Sequence, residues 1–496
     1  MKSVFVFSHS KQIKWYAVFM KAIKASLEDA NIILFVHGED DRLYAEQFNI
    51  YDEVIDLIED FNYDSSLTLD ELEVSQEIIN LESDLGISFF WEDMKVDRWI
   101  RAKNDTEFSV QYLNHAFTVF NQLYEDFRPV FGFGESTMAI YRFAHHIFDR
   151  DGLPYIGPMS NRYTDRFHFE ENWYWSWDRC LKYYNDYLEN GIPENIKDHT
   201  EELYQELAVR GTKPVAFENF KKSNQPGYVT FRKENILRIF QILNSLRGLK
   251  SDYFKNNIRY SIIENSFFKK VIRVLKNYYD HFSYLKFVKE EIIDGQPYGI
   301  YFLHYQPEYT VDSLGKFYHD QVNLISNIAS SLPAGQILYV KEHPGMVGLR
   351  NKEYYKDITR HSNVILLHHN IDSLELIRGA KIVFSIVGTV GLEATFNNVP
   401  AIMFGQYAFS NIGTCNFCDN LWELNKLIRQ KTKRINHESA KKMSKALLAA
   451  KYTGSYPGKI PISDETIDPF YEDESQHVLV ENAVRLELEN RKIISN

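Results

Sequence analysis

Two short stretches carry residue types and spacings suited to holding a phosphorylated sugar. One is Lys341-Glu342-His343-Pro344; the other is Ser385-Ile386-Val387-Gly388-Thr389-Val390-Gly391-Leu392-Glu393-Ala394. Each follows an apolar run, Ile337-Leu338-Tyr339-Val340 or Lys381-Ile382-Val383-Phe384. Each therefore reads as the carboxyl end of a buried parallel strand. Ligands bind at that edge of open α/β sheets. In the second stretch Gly388 and Gly391 would let a ligand approach the backbone. Thr389 and the first amides of the following helix would donate to a phosphate, helped by the helix dipole. Glu393, just inside that helix, would accept from ribose hydroxyls; an acid there also complements the dipole. His343 would offer a donor to phosphate or base from the strand end that Pro344 closes, flanked by Lys341, Glu342 and later Arg350. The loop His304-Tyr305-Gln306-Pro307-Glu308 follows another strand, and its His304 and Glu308 are candidates for contacting sugar or acceptor.

The candidate for proton transfer lies elsewhere in the chain. Gly132-Phe133-Gly134-Glu135-Ser136 is a glycine turn at a strand end. Glu135 could act there as general base, or as nucleophile in a retaining reaction. Glu39, Asp40 and Asp41 are rivals, and Arg162 and Arg166 are candidates for binding an anionic sugar or phosphate. Asp149-Arg150-Asp151 matches D-x-D but falls between a helix and a strand, so a metal-independent reaction with no cofactor is expected. Cys415-Asn416-Phe417-Cys418 has no second pair at zinc spacing. Three cysteines in all point to a reducing compartment.

These residues need a scaffold that presents strand ends side by side. From Tyr298 onward, strands 298–303, 336–341, 363–367, 381–385 and 401–404 alternate with helices 316–330, 352–359, 372–378 and 391–396. Short connections in that rhythm predict a parallel, doubly wound sheet. The first block opens as strand, helix, strand (Val4–Phe7, then Asn31–Val36), without a G-x-G-x-x-G. The expected division is a Rossmann-like domain over 1–194, a basic helical insertion over 195–294, a second Rossmann-like domain over 295–455, and a tail over 456–496 whose helix packs back across the domains. Two such domains facing a cleft form the GT-B class, with the nucleotide-sugar donor in the second and the acceptor in the first.

The 496 residues carry a net charge of -12, which argues against a nucleic-acid partner. From Arg210 to Glu290, however, 17 Lys and Arg face 6 Asp and Glu, which suggests a local anionic partner such as a membrane surface. No apolar run approaches the roughly 20 residues of a membrane span, and polar Ser8-His9-Ser10-Lys11 follows the first strand at once. A cytoplasmic protein, at most peripheral to the inner membrane, is expected.

Leu303-His304-Tyr305-Gln306-Pro307-Glu308, Val340-Lys341-Glu342-His343-Pro344, Gly388-Thr389-Val390-Gly391-Leu392-Glu393-Ala394 and Phe404-Gly405 together resemble the bacterial capsule and surface-polysaccharide biosynthesis family, which includes capsule Kdo transferases. The His-Pro motif and the glycine turn are also similar to those of GT-B sialyltransferases, which use CMP-sugars. The likeness implies a glycosyltransferase that moves a sugar from a nucleotide-sugar, for instance CMP-Kdo, to a growing glycan or lipid-linked acceptor of capsule or lipopolysaccharide. It implies that His343 and Pro344 frame the nucleotide, Ser385, Gly388 and Thr389 the phosphate, and Glu393 the ribose or base. The sialyltransferase acidic-acidic-glycine order is inverted in Gly38-Glu39-Asp40. A nucleotide-sugar 2-epimerase or hydrolase, or a scaffold subunit of polysaccharide assembly, remains the alternative.

Overall fold

The computed structural model describes residues 2–97, 100, 105–134, 136–161, 164–170, 176–211, 267–462 and 464–494. They form two compact units: one holds the described residues up to Asp178 and from Tyr452 on, the other those from Arg179 to Lys451. Each is built on its own sheet. Most of the expected basic insertion, residues 212–266, lies outside the described residues.

The first sheet has seven strands: β1 (Lys2–Phe7), β2 (Ala30–Val36), β3 (Glu53–Asp56), β4 (Phe131–Gly134), β5 (Tyr155–Ser160), β6 (Arg166–Glu170) and β13 (Tyr456–Pro457). Their order is β13-β6-β5-β4-β1-β2-β3, with β6 antiparallel to both neighbours and the rest parallel. Because side chains alternate along a strand, Val4 and Val6 join Ile32 and Leu34 in one core layer, while Phe5 and Phe7 join Ile33 and Phe35 in the other. Much of the chain's aromatic content is spent here. The Phe7 ring stacks on Phe35 with centroids 5.1 Å apart, and Phe5 meets Phe35 edge-on at 4.7 Å. The last helix, Glu474–Asn490, buries Val480, Ala483, Val484 and Leu488 in the layer that also holds Ile13, Phe19 and Ile23 of the helix Gln12–Ser26.

The second sheet is all parallel: β7 (Tyr298–Phe302), β8 (Ile337–Lys341), β9 (Val364–Leu367), β10 (Ile382–Ser385), β11 (Ala401–Met403) and β12 (Cys415–Phe417), in the order β12-β11-β10-β7-β8-β9. The chain runs outward through β7, β8 and β9, then returns to continue from the other side of β7. The order therefore reverses between β7 and β10, and a doubly wound sheet leaves a crevice at the carboxyl ends of such a pair. Two Rossmann-like sheets, as the sequence pattern predicts, carry the fold. The expected helix at 316–330 is divided. A 3-10 turn, Lys316–Tyr318, precedes the helix Gln321–Ser331, whose start Asp320 caps by accepting from the amides of Val322 and Asn323.

Gly405, just past β11, closes the second sheet against its own crevice. Its amide donates to the Ile386 carbonyl at 2.8 Å. A Cβ there would lie 2.5 Å from Val387 Cγ1 and 2.9 Å from the carbonyl oxygens of Ile386 and Leu314. Gly405→Ala is expected to lower stability by about 1–3 kcal/mol through overpacking against backbone. Urea denaturation checks this, and a midpoint equal to wild type refutes it.

Candidate functional site

His304 stands two residues beyond β7, at the point where the strand order reverses. Its backbone is fixed by Gln321, whose Oε1 accepts from the His304 amide at 2.8 Å. Its ring reaches across to the turn after β10, where Nε2 accepts from the Ile386 amide at 3.0 Å. An amide can only donate, so Nε2 carries no proton and the neutral ring holds its proton on Nδ1. Burial, with His343 and Arg350 nearby, pushes the His304 pKa down to about 3. Ser385 Oγ lies 3.2 Å from the same nitrogen and donates to the Val387 carbonyl at 2.7 Å. Fully buried, Ser385 shapes the turn that carries the amide.

At the end of β8 the motif separates into distinct tasks. Lys341 is buried, and its Nζ donates to Ser373 Oγ at 2.8 Å, tying β8 to the start of the helix Ser373–Gly379. Glu342 is 1% exposed and accepts four hydrogen bonds: two from Arg350 Nη1 at 2.9 and 3.1 Å, one from Tyr355 Oη at 3.0 Å and one from the His343 amide at 2.6 Å. Arg350, 6% exposed, also donates through Nη2 to the His304 carbonyl. One buried ion pair thus joins the loops after β7 and β8. His343 Nδ1 accepts from the Gly345 amide at 3.1 Å, capping the 3-10 turn that Pro344 begins. Its proton is therefore on Nε2. Burial, then the charges of Arg350 and Lys341, lower its pKa to about 4. The Tyr305 ring meets it edge-on with centroids 5.9 Å apart.

In the turn after β10, Gly388 has φ +97°, a conformation that favours glycine, with open space where a Cβ would stand. Thr389 precedes the helix Val390–Phe396 without capping it, and donates instead to Glu393 Oε1 at 3.1 Å. Gly391 is required for packing: a Cβ would lie 2.9 Å from Cys415 Sγ and from Met403 Sδ. Cys415 and Cys418 are buried free thiols, and Cys415 Sγ donates to the Gly391 carbonyl at 3.2 Å. Among the described residues no group of three or more His, Cys, Asp or Glu could hold a metal. Glu308 is exposed and opens the short helix Tyr309–Leu314.

The structure thus brings His304, Ser385 and the β10 turn together, and links His343 to them through Arg350 and Glu342. Glu135 and Arg162 lie outside the described residues. In the first unit, Asp97 Oδ2 accepts from the Ala139 amide at 2.9 Å at the start of the helix Ala139–Arg150. Farther along that helix, Arg142 Nη1 lies 2.7 Å from Asp93 Oδ1, with both side chains buried. Sequence reasoning missed Gln321 and Tyr355 as parts of the site's frame, and marked Glu342 and Arg350 only as residues flanking His343. The one available signal was a carboxylate in the motif at the end of an apolar strand.

Residues 242–450, which include all of β7 to β12, match the family described as capsule polysaccharide biosynthesis protein. The likeness is to the capsule polysaccharide biosynthesis family. It agrees with the resemblance carried by the motifs at 303–308, 340–344, 388–394 and 404–405. No curated protein matches the chain. Among solved structures, the beta Kdo 2,4 transferase of Thermosulfurimonas dismutans KpsC is 12% identical, covering 69% of this chain and 87% of its own, with a TM-score of 0.33. The beta Kdo 2,7 transferase of the same KpsC is 8% identical, covering 71% and 88%, with a TM-score of 0.35. S. aureus MnaA with UDP is 10% identical, covering 100% and 98%, with a TM-score of 0.28.

Two outcomes test this framework. Arg350→Met leaves the Glu342 carboxylate buried without its cation and is expected to cost about 3–5 kcal/mol in chemical denaturation. Adding Glu342→Gln should restore part of the loss, and an unaltered single variant would refute the frame. The second outcome concerns pH. Below the ordinary histidine value near 6.5, the unfolded chain takes up protons that folded His304 and His343 refuse. Their contribution to stability is full above that value and is lost as the pH falls toward their folded values, about 3 for His304 and about 4 for His343. The melting temperature should fall with pH over this window, with a shallower slope in His304→Gln. Equal slopes would refute the assignment.

Proposed function

We propose that the protein is a metal-independent glycosyltransferase of the GT-B type, working in synthesis of a capsule or related bacterial surface polysaccharide. The observation that carries this reading is the pairing of two neutral histidines with a glycine turn at the reversal point of the second sheet, inside the stretch that matches the capsule family. His304 offers Nδ1–H and His343 offers Nε2–H. The Gly388-Thr389 turn leaves room for a phosphate beside the uncapped start of the next helix. Together these suit a nucleotide-sugar whose leaving phosphate is stabilised by hydrogen-bond donors in place of a metal.

In this reading Glu393 takes ribose hydroxyls, Gly391 sets the helix against the sheet, and Lys341 and Pro344 hold the β8 loop in place. The donor is a CMP-sugar such as CMP-Kdo, and the acceptor is a growing glycan, free or lipid-linked. Glu135 is the proposed proton acceptor or nucleophile, with Arg162 and Glu308 contacting sugar or acceptor.

Thermal-shift measurements against CMP, UDP, GDP and their sugars test the proposal, since a ligand that binds only the folded state raises its melting temperature. One nucleotide should stabilise the wild type, by about 2.7 kcal/mol at a hundredfold excess over its Kd. His343→Ala should weaken that effect at least about tenfold, as expected for a lost hydrogen bond to a charged group. Glu135→Gln should bind as wild type does and lose turnover. A folded protein that neither binds nor consumes any nucleotide-sugar would sink the proposal.

A further inference from the structure

Two aromatic side chains stand almost bare on the second unit. Trp422 is 96% exposed and Phe317 is 84% exposed, the highest values among the large apolar side chains described. They are neighbours in the fold. Phe317 lies on the 3-10 turn Lys316–Tyr318, and Trp422 on the 3-10 turn Leu421–Glu423. Between them, Tyr318 Oη donates to the Asp419 carbonyl at 2.7 Å. The Tyr318 ring also packs on Phe404 at 5.5 Å. The turns are therefore anchored from beneath while their rings project outward.

Cations follow Trp422 along the chain. The helix Leu424–Lys431 buries Leu424 and Ile428 and leaves Lys426, Arg429 and Lys431 exposed, and Lys433 follows them in the open. Positions 422, 426 and 429 have the spacing of one helix side, away from 424 and 428. None of Lys426, Arg429, Lys431 or Lys433 pairs with an acid among the described residues. From Asp419 to Lys445 eight lysines and arginines stand against three acids, in a chain whose net charge is -12.

We infer that this surface seats the protein on a bilayer rich in anionic phospholipid. Aromatic rings suit the headgroup level, where one side is apolar and the other wet. Lysines and arginines beside them are drawn to the negative surface potential. Stable peripheral attachment takes two signals, and this rim supplies both. A soluble polyanion would engage the cations and leave the two rings in water. No helix of the described residues is long and apolar enough to cross a membrane, so the contact is peripheral. The residues that carry this surface are distinct in sequence from the basic segment 210–290, and the inference does not rest on the reading of the donor site.

The test is co-sedimentation of the full chain with vesicles of phosphatidylcholine alone or mixed with phosphatidylglycerol. Wild type should sediment with the mixed vesicles only, and less so as salt rises from about 0.05 to 0.5 M. Phe317→Ala/Trp422→Ala and Lys426→Glu/Arg429→Glu should each weaken binding about tenfold or more. Both should keep the wild-type melting temperature and the wild-type response to nucleotide, which separates this inference from the proposed activity. Wild-type protein that stays in solution with anionic vesicles, or variants that sediment as wild type does, would overturn it. A change in self-association in place of vesicle binding would assign the surface to a second copy and overturn it equally.

Discussion

The ion pair between Glu342 and Arg350 is the constraint on which the candidate site depends. A carboxylate and a guanidinium this deeply buried are costly to desolvate, and the cost is offset only when nearly every polar atom finds a partner. Here Glu342 takes four hydrogen bonds, and Arg350 reaches from it to the His304 carbonyl. That one contact couples the loops after β7 and β8. Gln321 adds a second brace from the following helix, accepting from Tyr301 Oη at 3.2 Å as well as from the His304 amide. With both loops braced, the His304 ring reaches the Ile386 amide, and the β10 turn is held by a side chain from three strands earlier in the chain.

The sequence made the sheet edges legible because β-branched and aromatic runs stop abruptly at polar or glycine-bearing turns. That signal is local, and it located the turns after β7, β8 and β10. What it could not show was which member of a motif carries which task. In Lys341-Glu342-His343-Pro344 the histidine draws attention, yet Glu342 is the buried anchor, and its pairing with Arg350 is seen only in the fold. Gly391 reads like a second opening for a ligand, but the sulfurs of Cys415 and Met403 fill the space a side chain would need. The antiparallel edge of the first sheet was also invisible, because β6 pairs with a two-residue strand contributed by the far end of the chain. Such non-local pairing leaves little mark in hydrophobic periodicity.

The two units repeat one plan with different means of control. Each sheet reverses its strand order beside its first strand, and each has a buried acid near the elements that follow. In the second unit the acid is Glu342, which orders loops. In the first it is Asp97, which accepts from the opening amide of the helix after β4, while Asp93 and Arg142 secure that helix farther along. A carboxylate at a helix start complements the helix dipole, and it fixes where the chain leaves the β4 turn.

The imidazoles of His304 and His343 have a thermodynamic consequence of their own. Each nitrogen that accepts a backbone amide is committed, so each ring keeps one fixed tautomer and stays uncharged near neutrality. Each ring can therefore present its N–H near neutrality without first gaining or losing a proton, so the two donors are ready in the ligand-free protein.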